Sequence, residues 1–238
     1  MKTLKHKLLL LLMGTVSAAS AQKMNVSVGY NIGSHLKMGG LDFVIQRYNE
    51  TRTAFLTTKM KSPSFFRGMN YAVEVFYPRA MMDFEWVSRK SDVFAEASGS
   101  KQRRDFRCKM NSFNMGYGYK LSKNRANAMG WYLGLDFSTI SIKNYTRAYQ
   151  SDPGIEKPEY DKINWDLVVG FSPFLQLTGN RFTTKIYCQF MSLKADYWDV
   201  NVAINPYTWS GDDFDSNQGK AISLGICLRY NLIRQGPK

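Results

Sequence analysis

The strongest constraint on the fold is an unbroken alternation in the last long segment, residues 220–232, which reads KAISLGICLRYNL. Large apolar side chains occupy every second position from Ile222 to Leu232, and small or polar ones fill the positions between them. A period of two predicts a β-strand, because successive side chains of a strand point to opposite faces. The second face carries mostly small groups, unlike the charged outer face of a soluble sheet. The pattern therefore predicts a strand whose bulky face meets lipid and whose small face lines a crowded interior.

The same alternation recurs in earlier parts of the chain. An open sheet edge cannot persist in hydrocarbon, so lipid-facing strands have to close into a barrel. With the last segment the strands number eight, and we predict an all-β fold, an eight-stranded antiparallel up-and-down transmembrane β-barrel. The earlier strands are predicted at residues 25–33, 70–77, 82–87, 112–121, 131–138, 163–172 and 185–191.

The connections between the predicted strands alternate in length. Short links fall at 78–80, 122–129 and 178–180, whereas long polar links fall at 34–67, 89–104, 147–161 and 199–219. Short periplasmic turns and long extracellular loops are the usual arrangement of outer-membrane barrels. In the first long link, a helix-like spacing predicts a short helix, with Leu41, Val44, Ile45 and Tyr48 on its apolar face.

The first residues are typical of a secretory signal peptide. Three lysines precede an apolar run, Leu8–Val16, and small residues follow as far as Ala21. The run is shorter than the roughly 20 apolar residues that a transmembrane helix needs. We therefore predict a cleaved signal peptide at 1–21 and a single barrel domain at 22–238.

The three cysteines are Cys108, Cys188 and Cys227. Their number is odd, all three lie within strand patterns, and the last two are predicted to face opposite sides of neighbouring strands. We therefore expect them to pack as small side chains rather than to form a disulfide.

The signal-like start, the eight alternating strands and Tyr230 near the end of the last strand resemble the small outer-membrane β-barrel proteins of Bacteroidota, including PorT-like barrels. They are similar in architecture to OmpA- and OmpX-type barrels. The resemblance spans residues 22–238 and includes no catalytic motif. It implies a protein of the cell outer membrane that is not an enzyme and needs no cofactor.

Several charged residues fall on the predicted inward face of the strands. The interior of an eight-stranded barrel is only wide enough for side chains to fill it, and charges in such a space have to be paired. We therefore predict a salt-bridged lumen charge network that plugs the barrel, in preference to carboxylates used for acid–base chemistry. Its members are Glu74, Asp83, Glu85, Asp136, Asp166, Lys185 and Arg229.

Two further patterns have residue types found in functional sites. His35, the only histidine after the predicted signal peptide, follows Ser34 directly, but a Ser-His-acid arrangement needs an acid partner that the sequence does not identify. The acidic loop Asp212–Asp215 has carboxylates near a glycine, as calcium sites do, without EF-hand spacing. We therefore expect no catalytic residue, no cofactor and no bound metal, with calcium at the acidic loop as the open alternative.

The predicted outer loops are rich in basic residues, which would attract the phosphates and acidic sugars of lipopolysaccharide or an acidic protein partner. No nucleic-acid-binding motif is present. Aromatic residues at strand ends are predicted to anchor the barrel at the membrane interfaces: Tyr77, Trp86, Tyr119, Trp131, Trp165 and Tyr230. The basic residues of the first two loops are Lys37, Arg47, Arg52, Lys59, Lys61, Arg67, Arg89, Lys90, Lys101, Arg103 and Arg104.

These features favour a non-enzymatic outer-membrane barrel that presents its loops for adhesion, ligand binding or partner binding. An accessory subunit of a secretion or uptake complex is the second interpretation, and a lipid A-modifying enzyme is the third. A soluble lipocalin-like barrel is disfavoured, since its bulky apolar face would point inward.

Overall fold

The computed structural model describes residues 23–99, 101–122, 128–152, 154–206 and 215–235. The predicted signal peptide at 1–21 and most of the acidic loop Asp212–Asp215 lie outside the described residues.

Eight long strands and a small set of elements at one end make up the described chain. The small elements are α1 (Gly39–Thr51), β2 (Leu56–Thr58), β9 (Ala195–Asp196), α2 (Trp198–Ile204), a 3-10 turn (Asp215–Asn217) and β10 (Gln218–Gly219). The long strands are β1 (Lys23–Met38), β3 (Phe65–Phe76), β4 (Ala80–Ala97), β5 (Gln102–Lys120), β6 (Gly130–Gln150), β7 (Asp161–Thr178), β8 (Phe182–Met191) and β11 (Ala221–Gln235).

The long strands form a closed barrel. Each pairs antiparallel with the next one along the chain, and β4–β5 pairing joins the two ends of the sheet. The last strand returns to the first, with β11 against β1 from Met38↔Ala221 to Met24↔Gln235. The predicted fold class, an eight-stranded antiparallel up-and-down barrel, is confirmed.

The predicted outer loop at 89–104 is wrong. β4 continues to Ala97 and β5 begins at Gln102, and the two strands stay in register up to the pair Glu96↔Arg103. Polar side chains occur on both faces of much of this extension, so an apolar period does not reveal it. The wall of the barrel therefore rises well beyond its apolar part on this side.

The predicted helix in the first long link is confirmed as α1, and its residues Leu41, Val44, Ile45 and Tyr48 are buried. Together α1 and α2 form a cap over the mouth of the barrel at the end with the long connections. Neither helix among the described residues is long and apolar enough to cross a bilayer. The cap shares one apolar cluster with inward residues of the wall, which include Phe66, Phe106, Met110, Ile140, Ile142 and Val168.

Candidate functional site

The outer face of the barrel carries an apolar belt, whereas charged side chains are buried inside. Of the six aromatic residues predicted at the interfaces, five are exposed, and Tyr77 is half-buried. This distribution is the reverse of that in a soluble protein. The belt includes Tyr30, Tyr71, Trp86, Phe113, Tyr117, Tyr119, Trp131, Leu133, Phe137, Trp165, Leu167, Ile186, Leu224, Ile226, Leu228 and Tyr230.

Lys185 is the centre of the buried charges. Its Nζ lies 2.7 Å from Asp83 Oδ2, 2.7 Å from Asp136 Oδ2 and 3.3 Å from Glu85 Oε2. These residues come from β8, β4 and β6, so the contacts cross the lumen and join strands that are not neighbours in the sheet. An ammonium ion has three N–H donors, and here each faces a carboxylate.

Arg229, on β11, binds the remaining carboxylate. Its Nη2 lies 3.0 Å from Glu74 Oε1 and donates to Gln176 Oε1 at 2.6 Å. Its Nη1 lies 3.4 Å from Asp83 Oδ1 and 3.7 Å from Glu85 Oε1. The two cations therefore share Asp83 and Glu85, and six residues form one connected group. We call Glu74, Asp83, Glu85, Asp136, Lys185 and Arg229 the lumen network.

Side-chain amides add hydrogen bonds to two carboxylates of the lumen network. Glu74 accepts hydrogen bonds from Asn25 at 2.5 Å and from Gln176 at 2.6 Å. Glu85 accepts from Asn70 at 2.7 Å and from Asn114 at 3.1 Å. Four carboxylates face only two cations in the lumen network, so these neutral donors supply the stabilisation that further cations would otherwise give.

Asp166, the seventh predicted member of the network, lies elsewhere. Its carboxylate accepts hydrogen bonds from the backbone N–H groups of Leu167 and Asp196, at the outer end of the barrel. Asp136 pairs with Ser172 of β7, and Ser172 lies six residues beyond Asp166 on that strand. Six residues of strand span about 20 Å, which places Asp166 far above the network.

Arg89 was predicted in an outer loop, but it is buried inside the barrel. Its guanidinium donates to Tyr187 Oη at 2.7 Å and to Gln189 Oε1 at 2.8 Å, and Tyr187 in turn donates to Asn31 Oδ1 at 2.9 Å. No carboxylate of the described residues forms a salt bridge with it. Between this layer and the lumen network lies a cavity with room for about one water molecule.

His35 and Ser34 do not converge on one site. They are successive residues of β1, so His35 points inward and is buried while Ser34 is exposed outside. The His35 ring packs edge-on against Phe66 with 4.5 Å between ring centroids. Neither ring nitrogen has a hydrogen-bond partner among the described residues. This arrangement does not bring Ser34 and His35 together for nucleophilic catalysis.

A cleft at the rim of the barrel contains two arginines, Arg52 and Arg104, that form no salt bridge with any described residue. It is open to solvent and lies where the end of α1 meets β4 and β5, with Arg52, Arg104, Tyr48 and Phe55 in its lining. The Arg52 guanidinium stacks 4.3 Å from the centre of the Tyr48 ring, and its hydrogen bonds within the described part of the chain go to neutral acceptors. Burial lowers the pKa of Arg52, and the positive charge of Arg104 adds to this effect.

Nearby, the carboxylate of Asp105 accepts hydrogen bonds from two other arginines of the rim. Arg103 Nε donates to Asp105 Oδ1 at 2.7 Å, and Arg147 Nε donates to Asp105 Oδ2 at 2.9 Å. Burial raises the pKa of Asp105, but the hydrogen bonds from Arg103 and Arg147 outweigh it, so the pKa lies below its ordinary value. Asp105 is therefore already occupied and does not neutralise Arg52 or Arg104.

All three thiols are free, with Cys108 and Cys227 buried and Cys188 half-buried on the outer side. Of the acidic loop Asp212–Asp215, only Asp215 is among the described residues, where it begins a 3-10 turn.

Comparison with known proteins finds a similar solved structure. Ail, the attachment invasion locus protein of Yersinia pestis, is similar to this chain with a TM-score of 0.46 and 11% sequence identity, over 90% of this chain and 99% of that one. No protein-family model matches the sequence, and no curated protein matches it.

Proposed function

We propose that this protein is an integral β-barrel of the cell outer membrane that is not an enzyme and presents its capped outer end for binding at the cell surface. The observation that carries the proposal is the inverted distribution of side chains. Large apolar groups such as Leu228 and Tyr117 are more than half exposed, while Lys185 and Arg229 are fully buried. Only a lipid environment makes both features favourable at once.

A plugged lumen is part of the proposal. The lumen network crosses the barrel in the middle, the Arg89 layer lies above it, and the apolar cluster of the cap lies above both. A continuous water path would have to pass through all three layers. The protein would therefore act through its surface rather than as a diffusion pore, which takes many more strands.

The outer end is where we expect recognition. The rim cleft offers Arg52 and Arg104 to an anionic group and Tyr48 and Phe55 as flat apolar surfaces. Lipopolysaccharide and an acidic protein partner both fit this chemistry, and nucleic acid is not proposed. Membership among PorT-like barrels of Bacteroidota and a role as accessory subunit of a secretion or uptake complex are narrower versions of the same proposal.

Fractionation and permeability together test it. We expect the protein in the outer-membrane fraction, with gel mobility that changes on heating, and we expect vesicles that contain it to retain small solutes. Recovery in the soluble periplasmic fraction would contradict the membrane assignment. Rapid solute loss from vesicles with folded protein would contradict the plugged lumen and leave the membrane assignment intact.

A further inference from the structure

Four basic residues lie side by side on the outer wall of the barrel. The strand register pairs Arg67 with Lys90, Lys90 with Lys109, and Lys109 with Lys143, across β3, β4, β5 and β6. Neighbouring strands are about 4.8 Å apart, so the four residues span roughly 14 Å. We call these four residues the basic row.

The basic row has no internal counter-charge among the described residues. None of its members takes part in a salt bridge there, and the carboxylate of Asp92, one outward position beyond Lys90 on the same strand, is held by Arg107 at 2.5 Å. Like charges directly opposite each other destabilise a sheet. Three such contacts in succession are unfavourable unless an anion outside the chain binds to them.

The position of the basic row indicates where that anion lies. Two residues nearer the periplasmic end the wall carries a polar row with Ser88, Asn111 and Ser141. Two residues further it carries Trp86 and Phe113, which belong to the apolar belt. From the belt outward the wall therefore changes from apolar to neutral polar to cationic, in the order in which a leaflet changes from acyl chains to polar headgroups to phosphates.

We propose that the basic row binds the phosphate groups of phosphorylated glycolipid in the surrounding outer leaflet. The inference rests on the proposed function, because it requires the barrel to lie in that membrane. The basic row ends at β6, because the residue of β7 that pairs with Lys143 is Trp165. The protein would therefore have one lipid-binding side, formed by β3 to β6.

The experiment uses the full barrel in nanodiscs of zwitterionic lipid, titrated with bisphosphorylated lipid A or with dephosphorylated lipid A. Binding is followed as a rise in the thermal unfolding midpoint. We expect the bisphosphorylated form to bind and the dephosphorylated form to bind much more weakly. The variant Lys90→Gln/Lys109→Gln/Lys143→Gln should bind the bisphosphorylated form roughly 100-fold more weakly than the unaltered protein.

A matched control removes the same charge elsewhere at the same end of the molecule. Lys37, Lys59 and Lys61 are exposed and lie outside the basic row, so Lys37→Gln/Lys59→Gln/Lys61→Gln should leave affinity within about threefold of the unaltered protein. Equal losses in the two variants would show an effect of net charge and overturn the inference. Equal binding of dephosphorylated lipid A, or equal protection by soluble pyrophosphate, would overturn it as well.

Insertion is measured first, without lipid A, as heat-modifiable mobility of the nanodisc-bound protein. A chain that does not insert contradicts the proposed function. A chain that inserts but does not discriminate the two forms of lipid A contradicts only the inference about the basic row.

Discussion

At the scale of single residues, Lys185 is one of the two cations that hold the lumen network together. Its ammonium group contacts three carboxylates within a fully buried lumen. Lys185→Met should lower the free energy of unfolding by roughly 3–5 kcal/mol, because it leaves those carboxylates buried with only Arg229 as a cation. Urea unfolding in lipid vesicles measures the change.

The double variant Lys185→Met/Asp136→Asn is the matched test, since Asp136 is bound by Lys185 and not by Arg229. Removal of this carboxylate should restore part of the lost stability. A double variant less stable than Lys185→Met alone would mean that Asp136 is not held by charge.

The sequence pattern predicts which charged residues point into the barrel, but not their positions along the barrel axis. Alternation shows the side to which a residue points, and on that criterion Asp166 and Asp136 are equivalent. Their separation along the barrel depends on strand register, which pairs Asp136 with Ser172. Arg89 was missed for a related reason. Its neighbours Ser88 and Lys90 are polar too, so no apolar period marks its inward direction.

At the scale of elements, α1 shows how a predicted loop becomes part of the core. Val44 has no exposed surface and contacts the apolar cluster in the mouth of the barrel. Val44→Asp should undock the cap while the barrel stays folded, because an unpaired polar group buried in apolar surroundings costs roughly 2–7 kcal/mol. Proteolysis of residues 52–64 and hydrogen exchange of α1 measure undocking, and gel mobility reports on the barrel.

Gln46→Asp is the control, since Gln46 is exposed on the same helix. We expect the cleavage rate of this variant to match that of the unaltered protein. Equal cleavage of the Val44→Asp and Gln46→Asp variants would show that the cap does not depend on burial.

The helix itself is predictable because its apolar residues have helical spacing. The surface against which it packs is not predictable in this way. Nothing in residues 39–51 indicates that they share an apolar cluster with Phe106 and Ile140, which lie on strands far along the chain. Contacts between distant segments depend on the closed barrel, and the sequence pattern of one element does not contain them.

At the scale of the whole molecule, the barrel should tolerate charge in the cap but not in the belt. Leu224 is about half exposed in mid-strand, so Leu224→Arg should cost roughly 2–4 kcal/mol in lipid vesicles. Val202→Arg, at an exposed position of α2, should change stability by less than about 0.5 kcal/mol. Folding yield and urea unfolding measure both, and equal effects would contradict the lipid-facing assignment.

Gly225, which follows Leu224, tests the inward face of the same strand. A Cβ atom on Gly225 would lie 2.2 Å from Cζ of Tyr187, so Gly225→Ala should destabilise the barrel by about 1–3 kcal/mol through overpacking. Tyr187→Leu in the same chain should make the two changes less than additive. Urea unfolding of the single and double variants checks this, and strict additivity would mean that Gly225 does not adjoin Tyr187.

The cap also has a consequence for the order of assembly. α1 directly follows β1 and α2 shortly precedes β11, so the two helices flank the seam at which the first and last strands meet. Arg52, which follows α1, links the two helices. Its Nη2 donates to the backbone oxygen of Ile204 in α2 at 2.9 Å, and the two residues are 152 positions apart in sequence. Because the two groups are so far apart in sequence, we expect this contact to form late in folding. We therefore expect the cap to dock after the first and last strands have paired, so that cap docking reports a closed barrel.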